Sequence, residues 1–173
     1  MRTIRTKVYK FSELSDKAKQ KAIEKFYDIN VDYDWWESVY EDAENIGLKI
    51  TGFDLDHNCT GQFTEDAYKV AQNIRKEHGE SCETYKTAYD FLTKYDELIV
   101  KYSDGKRTNI VAEGNEYDFD NEADDLEADF LKSICEDYRI LLRQEYEYRQ
   151  SKDAIIETIE ANEYEFKADG SLF

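Results

Sequence analysis

The sequence predicts a mostly helical α+β protein with a small antiparallel sheet formed by an N-terminal strand, a central hairpin and the C-terminal strands. Apolar residues recur at steps of three and four along most of the chain, which is the spacing of amphipathic helices. Alternation typical of strands occurs only near both ends and around Ile50. Hydrophobic residues make up 40% and aromatic residues 14% of the 173 residues, which is enough apolar surface for a folded core. The length predicts a single domain, residues 1–173.

The helices and strands are placed by their spacing and by their end signals. Ser15, Thr64 and Ser151 are suitable N-caps, Gly47 suits the left-handed position that follows a helix, and Gly79 is expected to stop the third helix. Because the chain contains no proline, its helices must end at glycine or polar residues. Helices are therefore predicted over residues 16–28, 32–47, 65–78, 84–102, 121–148 and 152–162. Strands are predicted over residues 3–11, 48–55 and 62–63, and on both sides of the Asp-Gly turn at 169–170.

Three details of these elements are specific expectations. Trp35 and Trp36 are expected on the buried side of the second helix. Residues 103–121 lack periodicity and contain Gly105 and Gly114, which predicts a mobile acidic loop. The helix after this loop is the longest, and its predicted buried stripe is Ala123, Leu126, Phe130, Ile134, Tyr138 and Leu141.

The chain carries a large excess of negative charge. It has 40 Asp and Glu against 23 Lys and Arg, a net charge of −17. This argues against direct binding of DNA or of an anionic membrane surface, and it predicts a basic protein partner. The first 25 residues are basic, with eight Lys and Arg against three acids, and we expect them to pair with the chain's own acids. No apolar run is long enough for a targeting peptide or a membrane span, so a cytoplasmic protein is expected; the oligomeric state stays open.

The negative charge is densest between residues 113 and 129, where no Lys or Arg occurs. The segment holds nine carboxylates: Glu113, Glu116, Asp118, Asp120, Glu122, Asp124, Asp125, Glu127 and Asp129. One interpretation is a solvated helix face whose acids favour the positive N-terminal end of the helix dipole. The other is a partner-binding surface that imitates a nucleic-acid backbone. The sequence leaves both open.

A calcium-loop pattern lies at the predicted hairpin turn. The oxygen-bearing residues fall at positions 1, 3, 5, 7, 9 and 12 of the loop template, where alternating oxygens and a final Glu surround the cation. They are Asp54, Asp56, Asn58, Thr60, Gln62 and Glu65. However, Cys59 replaces the template's glycine, and a strand precedes the loop instead of a helix. We therefore favour a polar hairpin turn and expect no metal and no cofactor.

Zinc is a second metal alternative. His57 with Cys59, and His78 with Cys82, supply four ligands if the two pairs approach each other in the fold. The His-x-Cys spacing is atypical, so chance placement is favoured. With three cysteines at unrelated spacings, reduced thiols are expected, and Cys135 is interpreted as a small core residue.

No catalytic motif stands out. The chain has no glycine-rich phosphate loop and no nucleophile elbow, and it has only two histidines to serve as bases. Carboxylate pairs identify no general acid among forty acids. An enzyme is therefore disfavoured. Many of the 14 tyrosines stand beside acids, a combination that suits protein recognition as well as ordinary partial burial.

Several segments resemble a family of small acidic proteins encoded by bacteriophages and prophages. The longest is residues 8–55, VYKFSELSDKAKQKAIEKFYDINVDYDWWESVYEDAENIGLKITGFDL. GQFTEDAYKVAQNI, ETYKTAYDFL and the ending IIETIEANEYEFKADGSLF also resemble that family. The resemblance covers most of the chain, with residues 103–121 the least similar part. It brings no catalytic or metal-binding motif.

The resemblance implies a role in conflict between phage and host. It points to anti-CRISPR proteins that act on a type VI, RNA-targeting CRISPR effector in the cytoplasm of the host bacterium. Such an effector holds RNA in a positively charged channel, which a carboxylate-covered protein can occupy. The hypothesis is stoichiometric inhibition of guide or target RNA handling by an acidic surface. An antitoxin-like protein that neutralises a basic toxin and a calcium-dependent binding module are the alternatives.

Overall fold

The computed structural model describes residues 7–103 and 116–173. The helices there are α1 (Asp16–Lys25), α2 (Glu37–Ile46), α3 (Ala67–Glu77), α4 (Glu83–Tyr102), α5 (Glu116–Arg149) and α6 (Lys152–Ala161). The strands form two antiparallel pairs, β1 (Tyr9–Lys10) with β4 (Glu165–Phe166) and β2 (Leu48–Asp54) with β3 (Asn58–Phe63). The predicted α+β class, mostly helical with small antiparallel sheets, is confirmed. The N-terminal and C-terminal strands form one sheet and the hairpin forms another.

The chain divides into two compact units. We call residues Met1–Trp36 and Gln144–Phe173 the terminal unit, and residues Glu37–Arg143 the central unit. Helix α5 contributes residues to both. The single domain expected from the chain length stays a prediction.

The central unit contains the hairpin and helices α2, α3 and α4 with most of α5. Its core side chains alternate on β2 and recur at helical spacing on the helices, and Ile46, Leu48, Ile74 and Ile134 are fully buried. Helix α2 ends at Ile46 and β2 begins at Leu48, so one residue must reverse the chain. Gly47 does so with a φ of 91°, in the left-handed region that glycine adopts without a Cβ clash.

The terminal unit has its own core between α1, α6 and the β1–β4 pair. Ala22 of α1, Ile159 of α6 and Phe166 of β4 are fully buried there. The Ser15 hydroxyl accepts from the amide of Ala18, and the Ser151 hydroxyl caps α6 in the same way. Both predicted N-caps are therefore confirmed.

Several predicted ends in the first half of the chain are wrong. The predicted strand over 3–11 is confirmed only at Tyr9–Lys10, because Phe11–Glu13 form a 3-10 turn; residues 1–6 lie outside the described part. Helix α1 ends at Lys25 and not at residue 28, and α2 begins at Glu37 and not near residue 32. Residues 26–36 are instead a run of turns.

The hairpin and α3 also differ in detail. Strand β3 begins already at Asn58, so the turn is three residues long and not six. Asp66 replaces Thr64 as the N-cap of α3, because its carboxylate accepts from the amides of Tyr68 and Lys69. Thr64 instead donates its amide to the carbonyl of Gly47 at 2.9 Å.

The predicted loop over 103–121 is wrong in its last part. Helix α5 begins at Glu116, five residues earlier than expected, while residues 104–115 lie outside the described part. Its predicted stripe is confirmed at Ala123, Phe130, Ile134 and Tyr138. Leu141 was predicted inside but is 37% exposed, and the next residue, Leu142, is fully buried.

Over residues 7–103 and 116–173, no helix is both long enough and apolar enough to cross a membrane.

Candidate functional site

The first half of α5 carries the site predicted from charge. Eight of the nine predicted carboxylates lie on this one helix, from Glu116 to Asp129, and we call them the acidic face. They are Glu116, Asp118, Asp120, Glu122, Asp124, Asp125, Glu127 and Asp129. All are exposed except Glu127, which is half-buried. The ninth, Glu113, lies outside the described residues.

Apolar contacts hold this half of α5 against α4. Phe130 is 3% exposed and stacks on Phe91, with ring centroids 4.3 Å apart. One turn from the helix start, Phe119 makes edge contacts with Tyr95 and Tyr102. The acids take the remaining faces of the helix, because the apolar positions recur with helical period. The acidic face therefore lies on a half of α5 that aromatic contacts pack against α4.

Most carboxylates of the acidic face form no salt bridge with a base in the described part of the chain. Glu122 accepts from the Lys101 ammonium at 2.6 Å and from the Tyr102 hydroxyl at 2.8 Å, and these bonds lower its pKa. Five members have no salt bridge to any base in the described part of the chain. They are Asp118, Asp120, Asp124, Asp125 and Asp129. Negative charge thus remains available to a partner.

The carboxylates of the acidic face repel one another and their neighbours. Burial raises the pKa of Glu127, and the carboxylates of Asp66 and Asp124 raise it further. The pKa of Tyr95 is also raised, first by burial and then by surrounding carboxylates that include Glu127 and Asp66. The N-cap of α3 therefore extends the negative field of α5. A cation brought to this surface relieves the repulsion.

The candidate calcium residues are engaged in other contacts. Asp54 accepts from the amides of Asp56 and His57 and lies 2.8 Å from the His57 ring nitrogen, which closes the hairpin turn. Glu65 forms an ion pair with Lys69 at 2.7 Å. Asn58 begins β3 and pairs with Asp54 in the strand register. Throughout the described residues, no group of three or more His, Cys, Asp or Glu side chains is arranged to hold a metal ion.

The four candidate zinc ligands likewise have separate surroundings. His57 pairs with Asp54, and Cys59 packs against the core that contains Cys135. His78 Nδ1 lies 2.7 Å from the hydroxyl of Thr84, whereas Cys82 is exposed at the start of α4.

A buried polar network includes residue types that occur in catalytic triads. Thr84 contacts His78, whose Nε2 lies 3.5 Å from Asp42 Oδ1, and the Tyr138 hydroxyl donates to Asp42 Oδ2 at 2.7 Å. Thr84 is 4% exposed and Tyr138 is fully buried, whereas the Asp42 side chain is about half exposed. The network connects α2, α4 and α5 within the central core.

Sequence reasoning missed a second exposed feature, in the terminal unit. Residues 26–36, which were predicted partly as helix, form a loop that exposes two tyrosines and three aspartates. The signal was present in the segment FYDINVDYDWW, where aspartates recur without a base, but its contacts depend on residues more than a hundred positions away.

No protein-family model, no curated protein and no solved structure matches the chain.

Proposed function

We propose that the protein is a stoichiometric inhibitor that binds a basic, nucleic-acid-binding partner through the acidic face of α5. The observation that carries the proposal is the set of exposed carboxylates on one helix, five of which form no salt bridge among the described residues. Together with the resemblance to phage proteins, it favours an RNA-guided CRISPR effector of type VI as the partner.

The charge density of the acidic face is close to that of a nucleic acid. At 1.5 Å per residue, residues 116–129 span about 20 Å, so the seven carboxylates other than Glu122, which is paired with Lys101, give roughly one charge per 3 Å. Duplex DNA carries one charge per about 1.7 Å of axis. A channel lined by Lys and Arg that accepts a phosphate backbone therefore finds a similar field along this helix.

Charge alone directs the encounter more than it holds the complex. Tyr117, between Glu116 and Asp118, is 78% exposed and offers a large, amphipathic ring in the same region. Tyrosines of this kind are frequent anchors at protein interfaces. We therefore expect the acidic face to determine association rate and salt dependence, and Tyr117 to slow dissociation.

The test is complex formation between the purified protein and a type VI effector, with and without guide RNA, across a salt series. Replacing Asp118, Asp120, Asp124, Asp125 and Asp129 together by Asn removes five charges and should weaken binding roughly tenfold or more at low salt. Target cleavage should recover in parallel. Dependence of binding on guide RNA will show whether guide or target handling is blocked.

A matched control removes five charges elsewhere on the surface. Glu41, Glu44, Glu80, Glu157 and Glu160 are exposed, and their replacement by Gln changes the net charge by the same amount. At physiological salt this control should bind within about twofold of the wild type if location decides binding, because charges more than about 8 Å from the partner are screened there. Equal weakening of binding in both variants would contradict the acidic face as the binding site. Binding of a basic toxin instead of an effector would support the antitoxin alternative.

A further inference from the structure

The loop over residues 26–36, here called the aspartate–tyrosine loop, is a second surface with the character of a binding site. Tyr27 and Tyr33 are 50% and 56% exposed. Asp28, Asp32 and Asp34 are also exposed, and the loop contains no Lys or Arg. Exposed tyrosines are typical of protein interfaces, where they contribute contact area at low entropic cost.

A buried asparagine fixes the middle of the loop. Asn30 is 8% exposed, its amide donates to the carbonyl of Arg149 at 3.1 Å, and its Oδ1 accepts from the hydroxyl of Thr158 at 2.7 Å. Both bonds satisfy polar groups that are shielded from water, which makes them expensive to break. The loop backbone is thereby attached to the end of α5 and to α6.

The exposed tyrosines are also held in place. The Tyr27 hydroxyl donates to the side chain of Gln150 at 3.1 Å, and the Tyr33 hydroxyl accepts from Arg149 at 2.9 Å. The Arg149 guanidinium also lies 5.9 Å from the centre of the Tyr33 ring. The two rings are therefore ordered before any partner arrives, which reduces the entropy lost on binding.

Aromatic packing secures both ends of the loop. Phe26 stacks on Tyr164 with centroids 5.1 Å apart, and Trp35 is 5% exposed and lies 5.3 Å from the Tyr146 ring. With its ends and its middle fixed, the loop presents its remaining side chains as a preformed surface. Neither Asp32 nor Asp34 has an ion-pair partner in the part of the chain that the structure describes.

We propose that the aspartate–tyrosine loop is a docking surface for an arginine-bearing segment of a protein partner. The aspartates supply the complementary charge, and the tyrosine faces accept a guanidinium, which stacks on aromatic rings better than an ammonium does. Arg149 over Tyr33 is an example of this contact within the chain itself. The surface lies in the terminal unit, and the proposal stands independently of the acidic face.

The two tryptophans of the chain make a direct test possible. Trp35 and Trp36 both lie in the loop, so 5-fluorotryptophan labelling of the full chain gives two fluorine NMR signals that report on this surface. The probe is a soluble peptide of alternating Arg and Gly, titrated at physiological salt, with a Lys-Gly peptide of equal charge for comparison. We expect a saturable shift of the signals and tighter binding of the Arg peptide.

Two sets of variants separate the loop from general attraction to an acidic protein. Replacing Tyr27 and Tyr33 together by Ala should weaken the response of the tryptophan signals about threefold to tenfold at unchanged net charge. Tyr89→Ala, at a 54% exposed tyrosine of α4, should leave it unchanged. If the double variant is less well folded by circular dichroism, replacement of the exposed Asp32 and Asp34 by Asn repeats the test without touching the tyrosine anchors.

Two outcomes overturn the proposal. One is peptide binding that leaves both fluorine signals in place or that is unaffected by the loop variants. The other is loss of the tryptophan response in the variant with five Asp→Asn changes on α5, because the loop signals then only follow binding to the acidic face. Retention of the response in that variant supports the loop site whether or not an effector binds α5.

Discussion

The acidic face of α5 and the aspartate–tyrosine loop both present negative charge, but they are built in different ways. The acidic face follows from local sequence, since a helix with an apolar stripe automatically places its other residues in water. The loop depends on Asn30, whose two hydrogen bonds reach Arg149 and Thr158, 119 and 128 positions away. The acidic face is therefore defined by its charged side chains, whereas the loop is defined by a backbone conformation that long-range hydrogen bonds hold.

This difference predicts that substitutions in the two surfaces change the stability of the fold to different extents. Acids of the face can be neutralised with little loss of fold, because most are exposed and few make a bond. The loop differs at its anchors Asn30 and Trp35, which are buried, so their substitution should cost stability. Removing a buried side chain beneath either surface should lower the free energy of unfolding. The size of that loss measures how much the buried contact stabilises the surface.

The largest effect is expected where the acidic face rests on the core. Phe130→Ala removes a ring that is 3% exposed and stacked on Phe91, and it should destabilise the protein by about 3–5 kcal/mol through lost burial and a cavity. Urea unfolding followed by circular dichroism measures it. Tyr117→Ala, at a 78% exposed position of the same helix, is the control and should change stability by less than about 0.5 kcal/mol. A small loss for Phe130→Ala would mean that the face does not depend on this stack.

A smaller but clear effect is expected at the loop anchor. Asn30→Ala leaves the Thr158 hydroxyl and the Arg149 carbonyl without their partner, and it should destabilise the protein by about 2 kcal/mol. Tryptophan emission should change as well, because Trp35 and Trp36 belong to the same loop. The matched control is Asn121→Ala, since Asn121 is exposed and, among the described residues, bonds within its own helix at 2.7 Å. Equal stability of the two variants would contradict a role for Asn30 as an anchor.

The smallest effect concerns repulsion within the acidic face. The pKa of Glu127 is raised in the folded state, so its carboxyl binds a proton more tightly folded than unfolded, and its ionisation opposes folding as the pH rises through that pKa. Glu127→Gln should therefore stabilise the protein at neutral pH, by less than about 1 kcal/mol after solvent screening.

The pH dependence of that difference is the informative measurement. The advantage of the Gln variant should shrink as the pH falls and Glu127 of the wild type takes up its proton. Unfolding midpoints at a series of pH values will show it. A difference that grows in acid would reverse the sign expected from the burial of Glu127 and from repulsion by Asp66 and Asp124.

Much of the fold could be predicted because its signals are local. Helix α4 agrees with its prediction to within one residue, and Ser15, Ser151 and Gly47 act at helix ends as expected. The buried stripe of α5 was placed correctly at Ala123, Phe130, Ile134 and Tyr138, while Leu126 is half-buried. After Tyr138 the drift between a step of three or four and the true helical period moved the inner position from Leu141 to Leu142. The start of α5 was missed, because a run of acids hides the periodicity of residues 116–120.

The sequence by itself determined the class of fold, the excess of negative charge and its concentration on one helix, since each depends on composition or on spacing within a few turns. Only the tertiary structure decided that Lys101 neutralises Glu122 and that residues 26–36 form an anchored loop. These features rest on contacts between distant positions. Such contacts form only after the cores have brought the elements together, and no local pattern encodes them.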